Sequence, residues 1–163
     1  MFFKDSSNNR YFIGRRFDHG GIQYTSHAAT EAKFTALGFT KVTVASRPDR
    51  RFYISTGPDI NGAYSSSELP LADVKTYFIG ETKDTERALL KVSDYYIVQN
   101  LEDSNAYPIP TEVSDYRAAV RAAATARCNE INAINSIADL QTLISGTGFT
   151  QWPDTPTTNY TPY

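Results

Sequence analysis

The chain has 163 residues, 16 Lys and Arg against 18 Asp and Glu for a net charge of −2, and 40% hydrophobic residues. That length and composition fit one ordinary domain, or two small lobes with a core, and exclude a need for disulfide staples. The single Cys128 forms neither an internal disulfide nor a cysteine-based zinc site, which fits a reducing compartment or a particle assembled in one.

No apolar run approaches the roughly 20 residues that span a bilayer. The opening MFFKDSSNNR is too polar for a signal-peptide core, so the expectation is a soluble chain made and kept in a cytoplasm. Charge is uneven. Residues 1 to 60 hold nine Lys and Arg against five Asp and Glu, giving +4, and residues 61 to 163 hold seven against thirteen, giving −6. This polarity predicts two lobes with different faces. It argues against a dedicated nucleic-acid binder, which carries a strongly basic domain or stripe.

Tyr11 to Phe17 and Ile22 to Thr25 are aromatic and β-favouring, and Asp18-His19-Gly20-Gly21 between them predicts a hairpin. Thr25 or Ser26 then caps a short helix ended by Gly38, with Phe39 beyond it for the closing hydrophobic contact. Lys41 to Ala45 and Arg51 to Ser55, joined by Arg47-Pro48-Asp49-Arg50, predict a second hairpin. Arg47, Arg50 and Arg51 read as a solvated turn, with an interface as the alternative. The expected N-terminal lobe, residues 1 to 62, is thus β-β-α-β-β. Thr56 to Glu68, with Gly-Pro, Asn-Gly and a serine run, reads as a linker.

A helical lobe is expected over residues 63 to 146. Leu71, Val74, Phe78, Thr82, Thr85, Leu89 and Val92 recur at helical steps, with Pro70 suited to the first turn and Gly80 marking a bend or a close approach. Tyr95 to Val98 reads as a short strand or buried turn, and Glu102 to Ala106 as a turn. Thr111 caps the next helix, whose inner face is Val113, Tyr116, Val120, Ala123 or Ala124, Arg127, Ile131 and Ile134. Its alanines suit a closely packed partner. Ser136, with Asp139 behind it, caps a last helix lined by Ile137, Leu140 and Ile144 and stopped by Gly146. Residues 147 to 163 read as an extended tail in which Phe149 and Trp152 dock, Trp152 over Tyr95 and Tyr96, while Tyr160 and Tyr163 reach a neighbouring subunit. The fold class expected is α+β.

Catalytic chemistry finds little support. His19 and His27 lack ligand spacing, no GxSxG presents a nucleophile, and Cys128 lies inside a helical pattern. Asp94, Glu102 and Asp103 are neighbours in sequence and suit surface charge, and Gly57 and Gly62 precede no Gly-Lys-Ser/Thr. No catalytic, metal-binding or cofactor-binding residue is therefore assigned, and no cofactor is expected.

Three segments remain: Arg87, Leu89-Leu90 and Ser93-Asp94-Tyr95-Tyr96; then Tyr116-Arg117 with Val120-Arg121; then Phe149 with Trp152-Pro153 and Pro156. In that order, over roughly Thr82 to Pro156, they resemble the C-terminal module of phage tail assembly chaperone and tail fibre assembly proteins. There an R..LL..(S/T)DW segment precedes a YR..(L/V)R helix and a closing WP. This chain places Tyr95-Tyr96 where a tryptophan is usual, adds a helix before the WP, and carries a β-rich lobe outside the motif. The resemblance implies a non-enzymatic virion protein of the tail, baseplate, neck or fibre attachment, present in several copies and partnered by other phage structural proteins. The alternative is an assembly chaperone that leaves before the particle matures. A phage enzyme or nucleic-acid binder is the third and weakest reading, and no membrane partner is implied.

Overall fold

A computed structural model describes residues 1 to 102 and 107 to 155. The fold is α+β, with small sheets in the N-terminal part and helices in the C-terminal part. The chain divides into two compact units, Met1–Glu68 and Leu69–Tyr163.

In the first unit β1 (Phe2–Lys4) lies between β2 (Arg10–Tyr11) and β5 (Thr40–Val42), antiparallel to both. Phe2 and Phe3 point to opposite faces of this central strand, yet both are buried. The first hairpin forms over a shorter span than expected, β3 (Phe17–His19) with β4 (Ile22–Tyr24). Its two-residue turn takes Gly20 and Gly21 at φ 58° and 77°, as a primed hairpin turn requires. The expected second hairpin does not form. Residues 40 to 42 pair with β1, and β6 (Tyr53–Thr56) pairs instead with β7 (Ser65–Glu68), drawn from the stretch that reads as a linker. The unit boundary therefore falls after Glu68, because the serine run is held by ladder hydrogen bonds.

The helix of this unit starts later than expected. Ser26–Ala28 form a single 3₁₀ turn, and Thr30, not Thr25 or Ser26, caps α1 (Glu31–Ala36) by accepting the Lys33 N–H at 3.2 Å. Its end matches the expectation: Gly38 takes φ 74°, its N–H donates to the Thr35 carbonyl, and the Phe39 N–H donates to that of Phe34. Phe34, fully buried, is the hub of an aromatic core, with ring centroids 4.8 Å from Phe3, 5.0 Å from Phe17 and 5.7 Å from Phe39. The Asn-Gly pair of the supposed linker serves a close approach. A Cβ on Gly62 would lie 2.4 Å from the Thr43 carbonyl oxygen, and Asp59 holds the loop by accepting the N–H groups of Asn61 and Ala63 at 2.8 Å each. The Ala63 and Asn61 amides keep the Asp59 carboxyl below its ordinary pKa.

In the second unit α2 (Leu71–Lys91) and α4 (Thr111–Ala133) pack antiparallel. Lys75 near the start of α2 reaches the Asn132 carbonyl, whereas the Leu89 and Leu90 carbonyls accept from Tyr116 and Arg117 near the start of α4. Ala123 and Ala124 are buried, which lets the backbones approach. The inner face of α4 is largely the one expected, although Arg127 and Ile134 are only partly buried. That of α2 holds through Thr82 and then drifts: Thr85 and Val92 are exposed, and Ser93 is buried beyond the helix end. Α repeat of 3.6 residues carries the stripe past the positions that fixed steps would select. Gly80 causes no break, since α2 continues through it as one helix, and the expected close approach is absent, because a Cβ there would meet nothing within 4 Å. Pro70 and Pro110 occupy the cap positions, so Pro70 lies just outside α2 and Thr111 is the first residue of α4 rather than its cap.

Tyr95 to Val98 are neither strand nor buried turn. They belong to α3 (Asp94–Glu102), a helix with no fully buried residue. The expected Glu102–Ala106 turn lies outside the described residues beyond Glu102, which ends α3. Ser136 caps α5 (Ile137–Ser145) by accepting the Asp139 N–H at 3.1 Å, and Ile137 and Leu140 are buried as expected.

Candidate functional site

The first two motif segments meet at Arg117. Its Nη1 donates to the Leu90 carbonyl at 2.8 Å, the Ser93 hydroxyl at 2.9 Å and the Asp94 carboxylate at 2.8 Å. Leu90 belongs to the last turn of α2, where the dipole favours a cation, and its carbonyl also accepts the Ser93 N–H at 3.1 Å and the Ser93 hydroxyl at 3.0 Å. Asp94 opens α3, where the dipole favours an anion. One guanidinium thus joins the end of one helix to the start of the next. Tyr116 beside it is buried, with its hydroxyl 3.3 Å from the Leu89 carbonyl, and burial raises its pKa.

Not every motif residue joins this knot. Arg87 is exposed and pairs with Asp84 at 2.7 Å along its own helix, and Arg121 is exposed. Leu89 and Leu90 are half-buried; Tyr95 is exposed, Tyr96 half-buried, and their rings meet edge to face at 5.8 Å.

The third segment docks elsewhere, on a pair of side chains that the motif does not include. The Arg127 guanidinium lies 3.5 Å from the Phe149 ring centroid and 5.1 Å from that of Trp152, and its Nη1 donates to the Thr150 carbonyl. Glu130, one turn on, accepts the Thr150 N–H at 3.1 Å and the Thr150 hydroxyl. Phe149 is buried, while Trp152 and Pro153 are half-buried. Burial lowers the Arg127 pKa against the opposing pull of Glu130, and its Nε is buried without a hydrogen-bond partner. Arg127 lies about 15 Å along α4 from Arg117 at 1.5 Å per residue. The expectation that Trp152 covers Tyr95 and Tyr96 is therefore corrected: Trp152 lies on Arg127, and Tyr95 is exposed in α3 at the Arg117 end. A signal for this clamp is present in the sequence, because an arginine on an inward face, with an acid three residues on, calls for polar or aromatic partners from another segment.

The turn arginines are held locally. Arg51 pairs with Asp49 at 2.7 Å, Arg47 donates to the Ser55 hydroxyl at 3.2 Å, and Arg50 is exposed. Tyr160, Tyr163 and Pro156 lie outside the described residues, as does Asp103.

His19 packs its ring edge-on against Phe39 at 4.7 Å. Among the described residues no group of three or more His, Cys, Asp and Glu is placed to hold a metal, and no helix is long and apolar enough to cross a membrane. A shallow depression on β6 and β7 is lined by Ile54, Thr56, Ser65, Ser66 and Ser67, none of them titratable in the ordinary range. No protein-family model, curated protein or solved structure matches the chain.

Proposed function

We propose that the chain is a non-enzymatic structural protein of a bacteriophage particle, in the tail, baseplate, neck or fibre attachment. It acts through contacts with other phage structural proteins, in several copies of a symmetric assembly, and is made in the cytoplasm of the bacterial host. The observation that carries the reading is the ordered resemblance of the three segments, parts of which bind the fold together. Arg117 joins Leu90, Ser93 and Asp94, and Trp152 lies on Arg127. Side chains engaged this way suit a protein whose work is done by its surfaces. Nucleic acid and membrane are not its partners on this reading.

The assembly-chaperone reading keeps one observation in its favour: Val98 and Leu101 stand exposed on α3, which suits a transient apolar grip. Mass spectrometry of purified particles separates the two. The chain is expected in stoichiometric amount; its absence from complete particles overturns the structural reading and leaves the chaperone.

A further inference from the structure

The loop between β2 and β3 is a small apolar tip carrying charge. Phe12 is 42% exposed and Ile13 48%. The Arg15 N–H donates to the Phe12 carbonyl at 3.2 Å, closing a turn with Gly14 at φ 75°. The Gly14 N–H is tied to the Ala29 carbonyl at 2.9 Å, so the tip is held before anything binds it. Arg15 stacks over Phe12 with its guanidinium 5.5 Å from the ring centroid, Arg16 is exposed, and Arg10 flanks them over Phe2. No acid occurs between Asp5 and Asp18.

The second unit carries a matching surface of opposite sign. Val92, Val98 and Leu101 are 63%, 48% and 70% exposed along α3 and the residue pair before it. Over residues 92 to 102 and 107 to 117 the chain holds Asp94, Glu102, Glu112 and Asp115 against Arg117 alone, and Arg117 is engaged with Asp94. Exposed apolar side chains set among charge of one sign mark a contact surface.

We infer that these two surfaces bind each other between copies of this chain: the Phe12–Arg16 tip of one copy seats on the α3 face of the next. The occupant is a second copy because the chain supplies both halves, apolar against apolar and basic against acidic. Such a contact joins two different patches, so it repeats head to tail and closes into a ring or runs on as a filament. The inference does not depend on the phage assignment, since both surfaces belong to the chain itself.

Sedimentation velocity of the full chain tests it without any particle. The average mass is expected to rise with chain concentration at low salt and to fall back at high salt, where opposite charges are screened. Arg15→Glu with Arg16→Glu breaks the tip, and Leu101→Glu breaks the α3 face; each is expected to weaken association by about tenfold or more. An equimolar mixture of the two variants retains one intact tip and one intact face, and is expected to form a complex of one copy of each and nothing larger. Circular dichroism of each variant checks that it is folded, with Val98→Glu replacing Leu101→Glu if the latter is not. A chain that stays monomeric at every concentration, association untouched by either variant, or a mixture that remains monomeric overturns the inference.

Discussion

The two units bury their interiors with different side chains. In the first, no strand exceeds four residues among those described, so the sheets alone cover little. Rings do the covering instead: Phe3, Phe17, Phe34 and Phe39 form the buried cluster, with Tyr11 and Tyr24 packed against it. In the second, two helices of 21 and 23 residues bury mostly small or aliphatic side chains, valines, alanines and Ile131, with one ring from each helix, Phe78 and Tyr116, and arginines fasten the helix end and the docked tail. Short elements need large residues and long elements need specific ones. The first unit is consequently most sensitive to lost volume, and the second to lost hydrogen bonds at its corners.

The sharpest way to break that contrast is Phe34→Ala, which removes the hub of four ring contacts and is expected to cost about 3 to 5 kcal/mol in denaturant unfolding. A cost below about 1 kcal/mol would show that the rings are redundant. Next comes Arg117→Ala. Loss of its bonds to a carbonyl, a hydroxyl and a carboxylate is expected to cost about 2 to 3 kcal/mol, less than their sum because Asp94 remains half in water. Thermal melting of the variant measures it, and an unchanged midpoint contradicts the knot. Trp152→Ala is expected to cost about 1 to 2 kcal/mol, short of a fully buried tryptophan, because Trp152 is half-buried on Arg127. The same change made together with Arg127→Ala should cost less than the two separately, since each loses the other as partner. Smallest is Gly80→Ala, expected to stabilise by about 0.5 to 1 kcal/mol, because a Cβ there meets nothing within 4 Å. A destabilised variant would mean that α2 needs the glycine.

The helices with a buried stripe were legible because local spacing determines them. Val113, Tyr116, Val120 and Ile131 fall on one face by sequence alone, as do Ile137 and Leu140 behind the Ser136 cap. Strand pairing was less legible. Phe2-Phe3 shows no alternation because both faces of β1 are covered, and Ser65–Glu68 shows none because every residue of β7 is exposed. Without alternation, a strand is indistinguishable from a polar loop or a short apolar end. In α3 the aromatic and β-branched residues favour a strand, but Asp94 opens the segment where an acid suits a helix start, and Arg117 holds that start against α2. The motif residues Asp94 and Arg117 do meet, as their order suggests, whereas Phe149 and Trp152 meet Arg127, which lay in the inner stripe without a role.

Arg117 also governs direction. One nitrogen grips a carbonyl in the last turn of α2 and the opening carboxylate of α3, and so ties the start of α3 to the helix pair. Helix content and heading are then separable properties. A chain altered at this single position is expected to melt earlier yet keep its helical spectrum below that midpoint, with the Val98 and Leu101 surface no longer fixed in its heading, so that the residue supplies aim as well as stability to any neighbour docking there.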